Sequence, residues 1–510
     1  VLLYDIMRRG ANEYPQRPAI HFRDTTFTYG DLANEVNRLA NALRREGIGP
    51  ADRVGLLLPN CPTFTIAYYA ITALGAVCVP ANPLLKPAEL THMWGDSDVK
   101  LVFTIPALLP HVRQVRQSVP SLQVIVNISE QEDASADAIP YVELLRHGTE
   151  EPLNTHHIQP SDPAVCIYTS GTTGRPKGAL LSHHNLTVNC RQIVEVLHID
   201  SRDNFLCVLP LFHSFAGTVC QNTALFCGAQ MTLLEQFQPA RVLEAIHRYR
   251  VTIFAGVPAM YQALLQFSTD PPPDFSRVRL CVSGGAPMPV ALMKAFEERF
   301  KTIIIEGDGP TECSPVTCVN PPEGVRKPGS VGLPIPGVEM KIFDENDREL
   351  PIGEVGEIVV RGENVMLGYH NLPEETAEAM RNGWYHTGDL GKMDEDGYFY
   401  IVDRKKDMVI VGGLNVYPRE VEEVLFTHPA VADAAVIGLP DPLRGEEVVA
   451  IIVLKPGQQA TERELIQHCR LHLANYKVPR RVLFREALPR SGTGKVLKRL
   501  LRKELELETA

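Results

Sequence analysis

Between Pro239 and Ile305 helix-like and strand-like runs alternate with short joins, and this rhythm limits the fold more than any other feature of the chain. Pro239 opens a helical stretch through Tyr249, with Val242, Leu243 and Ile246 as its apolar positions. Val251 to Ala255 reads as strand, Met260 to Phe267 as helix and Arg279 to Val282 as strand. Met288 to Phe300 is again helical, and Thr302 to Ile305 extended. Parallel strands need long crossovers, so the alternation predicts a parallel sheet covered on both faces by helices. In such sheets ligands gather beyond the carboxyl ends of the strands. With 510 residues the chain exceeds one core, so at least two domains are expected.

The pattern changes after about Gly329. Val338 to Phe343 and Glu357 to Arg361 are strand-like, and the intervening DENDRELPIGEVG is rich in turn residues. A second change falls near Asp403. Pro418 suits a first helical turn, Val421, Val424 and Leu425 form an apolar stripe, and Pro429 closes the helix. Strand-like runs at Ala434 to Gly438 and Val448 to Leu454 precede a helix around Glu462 to Leu473. The expected class is α/β: a large N-terminal domain, 1–403, with parallel-sheet subdomains and a β-rich part over about 330–403, then a small α+β domain, 404–510.

A net charge of −11 argues against a general nucleic-acid binder, though local donors can still hold anions. The 11 cysteines form no CxxC pair and no framework, which predicts free thiols and a cytoplasmic setting. Cys207, Cys220 and Cys227 lack metal-site spacing, and His156/His157 and His183/His184 are adjacent pairs that seldom converge on one ion. The longest uncharged run, Pro62 to Val79, reads as a buried helix and strand rather than a membrane span. No signal-peptide pattern opens the chain. Its first residue is Val1 rather than methionine, so an earlier segment is left open, as is a homodimer.

The strongest local signal is Tyr168-Thr-Ser-Gly-Thr-Thr-Gly-Arg-Pro-Lys177-Gly, which follows an apolar strand-like run. Its glycines permit a tight turn whose amides and hydroxyls can donate to phosphate oxygens, and Lys177 adds a cation. A Walker A loop would place glycine before the lysine and Ser or Thr after it; here those places hold Pro176 and Gly178. Alone, the segment also reads as a polar surface turn. Further along stand Ser283-Gly-Gly-Ala-Pro287, Gly309-Pro-Thr-Glu312, Gly383-Trp-Tyr-His-Thr-Gly-Asp389, Asp403-Arg-Lys-Lys-Asp407, Gly412-Gly-Leu-Asn-Val-Tyr-Pro418 and Arg490-Ser-Gly-Thr-Gly-Lys495.

This ordered set, spread over nearly the whole chain, resembles the adenylate-forming superfamily of acyl-CoA synthetases, firefly-type luciferases and peptide-synthetase adenylation domains. The resemblance implies ATP contacts at Thr169, Ser170, Gly171, Thr172, Thr173, Gly174 and Lys177. It implies others at Gly284, Gly285, Ala286, Pro287, Glu306, Gly307, Asp308, Gly309, Thr311, Asp389 and Arg404. Lys495, Glu312 and Thr311 are the implied catalytic residues, with Glu312 organising Mg2+. Asp389 resembles the carboxylate that holds both ribose hydroxyls; when ionised it can accept from both. Lys406 falls at the hinge, Gly412 and Gly413 at the CoA tunnel, and His213, Phe212 and Gly285 beside the acyl channel. Val219, Ala224, Leu225 and Phe226 are candidates for an apolar pocket. One position departs: most relatives place an adenine-stacking aromatic where this chain has Asp308, whose carboxylate could instead accept from the adenine amino group.

The resemblance therefore implies an ATP-dependent acid–thiol ligase that turns a medium- or long-chain fatty acid into acyl-AMP and then acyl-CoA. Aryl acids such as coumarate are an alternative. No insertion is evident between Val331 and Asp389, which disfavours an acyl-AMP ligase that loads a carrier protein. Luciferase, peptide-synthetase and inactive nucleotide-binding readings compete less well.

Overall fold

The strand runs between 239 and 305 become the middle of a nine-stranded sheet in the computed structural model, which describes residues 1–129, 137–170, 176–268, 273–412, 414–491 and 494–509. Pro18–Phe22, Gln230–Leu233, Asn204–Cys207, Ile253–Gly256, Leu280–Ser283 and Ile304–Asp308 lie side by side, all parallel. Helices Pro239–Tyr249, Pro258–Gln266 and Val290–Phe300 provide the crossovers, and Arg250 and Lys301 stop two of them in the left-handed conformation. Val242, Tyr261, Phe254 and Phe296 pack together beneath these helices. Each such side chain contributes about 1.5–3 kcal/mol on burial.

A second sheet of eight strands holds the glycine-rich loop. Pro163–Ser170 runs parallel to Val77–Pro80, then turns back antiparallel as Pro176–Ser182, with Thr169 paired to Lys177. The loop thus leaves the carboxyl end of a sheet strand, as predicted. The uncharged run forms helix Pro62–Ala73 and strand Val77–Pro80, both buried. Thr65 and Tyr69 of that helix donate to Gln221 and Asn222, tying it to a π-helical segment, Phe215–Asn222. One apolar core draws from both sheets.

Val338–Phe343, Gly356–Gly362, Tyr385–Met393 and Phe399–Arg404 form an antiparallel sheet whose last strand carries Arg404. Beyond it, Leu414–Val416, Val409–Val411, Gly445–Leu454 and Val431–Asp441 are antiparallel, and Arg481–Phe484 adds a parallel strand. Alternation of side chains sends Val436, Val448, Ala450 and Ile452 toward helices Pro418–Phe426 and Glu462–His472. Ile437, Leu439, Val449 and Ile451 face Leu501 and Leu505 of helix Lys498–Thr509. The chain is thus a large α/β domain followed by a small α+β one. The cysteines are all free thiols. Among the described residues no helix is long and apolar enough to cross a membrane.

Candidate active site

Thr169 and Lys177 flank the loop that the sequence assigns to phosphate. Gly171, Thr172, Thr173 and Gly174 lie outside the described residues, as does the Ser170 side chain. Glu312 sits in a one-turn 3-10 helix, Thr311–Cys313, and its backbone carbonyl accepts from Met366 N–H at 2.7 Å. Its Oε1 accepts from Thr169 Oγ1 at 3.3 Å and from Tyr369 Oη at 3.0 Å. Lys177 Nζ lies 5.3 Å from the Tyr369 ring centroid. Tyr369 therefore joins the loop to Glu312, and burial, then Glu312, push its phenol pKa up. No sequence motif marks Tyr369. Thr311 Oγ1 is 3.0 Å from Ser214 Oγ, which fixes it at the start of the π-helical segment.

The other wall comes from the nine-stranded sheet. After strand Leu280–Ser283, Gly284 is buried against the Phe215 ring while Gly285, Ala286 and Pro287 turn outward. Gly307, Asp308 and Gly309 follow at the end of Ile304–Asp308. A Cβ on Gly309 would lie 2.4 Å from the Pro315 carbonyl oxygen, so only glycine fits there. Asp389 is buried and accepts from Arg404 Nε at 2.6 Å. Asp308 belongs to the same group of charges. Burial first, then Asp389, push its carboxyl up to about 6, with Arg404 opposing.

Lys495 enters this group from the small domain. Its carbonyl accepts from Ser491 N–H at 2.8 Å, and the Arg490 guanidinium donates to the Gly494 carbonyl at 2.6 Å. Gly494 has φ +82°, and a Cβ there would lie 3.0 Å from Val257 Cγ2. The loop thus rests directly on the large domain. Water reaches the Lys495 side chain, yet protein walls surround it. That desolvation, then Arg404, lowers its ammonium to about 8, while Asp389 acts in the opposite sense. His213 is half-buried; its Nδ1 accepts from Phe215 N–H at 3.2 Å. Burial, then Lys495, lower it to about 4, so it is neutral at pH 7. Phe212 packs on the core beside it.

Three assignments lie elsewhere. Glu306 is buried, and its Oε1 accepts from Met288 N–H at 2.9 Å. Lys406 is exposed in the turn after Arg404. Gly412 donates to the Arg444 carbonyl at 2.7 Å within the small domain, and Gly413 lies outside the described residues. Phe226 is a correction: Arg9 stacks on its ring at 4.9 Å, so it packs toward the N-terminal helix Leu3–Glu13. Val219, Ala224 and Leu225 are core residues.

The family model of AMP-binding enzymes matches residues 7–370, and that of the AMP-binding enzyme C-terminal domain matches residues 420–495. The chain belongs to the AMP-binding enzyme family. This adenylate-forming enzyme is 37% identical to a long-chain-fatty-acid–CoA ligase of Bacillus subtilis, over 98% of this chain and 94% of the relative. It is 39% identical to a feruloyl-CoA synthase of an Amycolatopsis species, over 96% of each chain. Its fold superposes on an anthranilate CoA ligase in complex with anthranoyl-AMP with a TM-score of 0.94, at 32% identity, covering 100% of this chain and 98% of that one.

Proposed function

We propose that this acyl-CoA synthetase joins a medium- or long-chain fatty acid to coenzyme A in two steps at one cleft. The substrate carboxylate attacks the α-phosphorus of ATP, forming acyl-AMP and releasing pyrophosphate. The CoA thiolate then attacks the acyl carbon and AMP departs. The observation that carries this reading is the delivery of Lys495, from the small domain, to the Asp389–Arg404–Asp308 group beside the end of strand Ile304–Asp308. Negative charge grows on the phosphoryl oxygens as the carboxylate attacks. A desolvated ammonium stabilises that charge more in the transition state than in the separated reactants. Neutral His213 beside it adds no second cation near the acyl group. Rotation about Lys406 would withdraw Lys495 and bring Gly412 and Gly413 toward the cleft for the thiol step.

Glu312 suits a hard divalent cation shared with phosphate oxygens. It is a buried carboxylate beside the loop, and among the described residues no cluster of three or more His, Cys, Asp or Glu offers a complete cage. Magnesium held there would neutralise phosphate charge.

The Lys495 ammonium must be protonated to act. A pKa of about 8 in the free enzyme predicts that kcat/KM for ATP in acid-dependent pyrophosphate exchange declines above about pH 8. Thioester formation from supplied acyl-AMP should lack this limb. An exchange profile still rising at pH 10 would remove Lys495 as the titrating cation.

Asp308 offers no ring to adenine and adds negative charge beside Asp389. Asp308→Phe is expected to lower the KM for ATP about three- to tenfold. Initial rates over an ATP series check this, and an unchanged or higher KM would show that the carboxylate contacts the base.

The fatty-acid assignment is supported by the likeness to long-chain ligases and by the apolar residues Phe212, Phe215 and Val257 around the cleft. An aryl acid is the second reading, favoured by the 39% identity to a feruloyl-CoA synthase. Pyrophosphate release across fatty acids of increasing length, benzoate, coumarate and ferulate, with and without CoA, decides between them. Preference for an aryl acid would overturn the fatty-acid reading.

A further inference from the structure

One residue of the small domain meets three separate groups of the large domain, two through its side chain and one through its backbone. Arg419 is the second residue of helix Pro418–Phe426 and is buried. Its guanidinium donates through Nη1 to the Ile401 carbonyl at 2.8 Å, and its Nη2 lies 3.8 Å from Glu306 Oε1. Its backbone N–H donates to Asp403 Oδ2 at 2.9 Å, so an aspartate on the strand before the turn satisfies a free donor in the first turn of this helix. All three partners precede Lys406 in the chain, and Arg419 follows it.

Glu306 gives this contact its direction. It stands one residue before the Gly307-Asp308-Gly309 segment, it is buried, and its Oε2 has no hydrogen-bond partner. A carboxylate closed off from water in this way is costly unless a cation faces it, and Arg419 is the cation that the small domain supplies. The pair forms here together with the seating of Gly494 against Val257 and of Lys495 beside Asp389 and Arg404. The guanidinium and the carboxyl group come from opposite sides of Lys406 in the chain, so a turn of the small domain about that residue would part them.

We propose that Arg419 is a positioning residue, a clasp that selects the domain orientation in which Lys495 reaches the nucleotide. It touches no reacting atom. It acts by raising the population of the adenylation arrangement, so its loss reduces the first half-reaction and not the second. This inference rests on the two-step reading above.

The test measures orientation and chemistry separately. Spin labels are placed at the exposed positions Glu345, in the turn after strand Val338–Phe343, and Leu471 of the small domain, after replacement of the half-buried Cys61 and Cys227 by alanine. In substrate-free protein one distance should dominate, Arg419→Ala should add a second population, and Arg419→Lys should fall between them. Arg419→Ala should also reduce acid-dependent ATP–pyrophosphate exchange about tenfold, with thioester formation from supplied acyl-AMP retained and Arg419→Lys partly restoring exchange. Thermal melts confirm that both variants are folded. An Arg419→Ala distance distribution identical to wild type would overturn the proposal, as would a shifted distribution with undiminished exchange. Wild-type protein without acid-dependent exchange would overturn the ligase reading instead, and the distances would still decide the clasp.

Discussion

Lys495→Ala is expected to lower acid-dependent ATP–pyrophosphate exchange by about 10²–10³-fold while thioester formation from supplied acyl-adenylate stays within about twofold of wild type. The asymmetry follows from where the side chain sits. The ammonium lies among Asp389, Arg404 and Asp308, where partial desolvation by the surrounding walls and the Arg404 guanidinium lower its pKa to about 8 and a cation acts on developing phosphoryl charge. In the thiol step the bridging oxygen leaves with AMP and takes up negative charge, but by then the small domain has turned and withdrawn Lys495, so that step does not draw on it. Folding should be unaffected, because Lys495 anchors its loop through main-chain bonds with Ser491. Radiolabelled pyrophosphate exchange and direct acyl-CoA assay measure the two halves. Equal losses in both would refute the division of labour.

Gly309→Ala should produce the second large effect. The added Cβ would lie 2.4 Å from the Pro315 oxygen and 2.6 Å from its carbonyl carbon, backbone atoms that cannot rotate aside. Overpacking of this kind costs about 1–3 kcal/mol, which predicts a melting temperature lower by several degrees. The functional loss should be larger, because any relief of the clash shifts Asp308, Thr311 and Glu312 together. A displacement near 1 Å costs about 10²-fold in a positioned reaction, so kcat/KM for ATP should fall by about that factor. Gly49→Ala is the control: a Cβ there meets nothing within 4 Å and should change neither quantity. Wild-type kinetics in Gly309→Ala would show that the close approach at Pro315 does not position the site.

The crossover architecture is legible in the sequence because helices and strands of the nine-stranded sheet follow one another locally, and Val242 or Phe254 announces its element by spacing alone. The glycine loop is legible because backbone turns constrain composition. Less can be read where partners are distant. Tyr369 joins Glu312 to Lys177 through a two-residue strand, Gly368–Tyr369, too short to leave a periodic trace. Leu501 and Leu505 bury helix Lys498–Thr509 on the small sheet, but the charged residues around them dominate the composition of that segment. Arg419 looks like an ordinary residue of an exposed first turn. Its burial depends on Glu306 and Ile401, and the Glu306 partnership exists only once two domains meet. Phe226 shows the opposite error: an apolar residue near a motif is assigned to the site, yet packs against Arg9 of the first helix.

Rapid-quench analysis of wild-type enzyme with ATP and a radiolabelled fatty acid, first without CoA and then after its addition, tests the central claim most directly. The account predicts acyl-AMP in an amount matching the active sites, with equal pyrophosphate, and its conversion to acyl-CoA and AMP when CoA is added. Formation of ADP and phosphate, or acyl-CoA appearing with no adenylate that can be chased into it, would contradict the account.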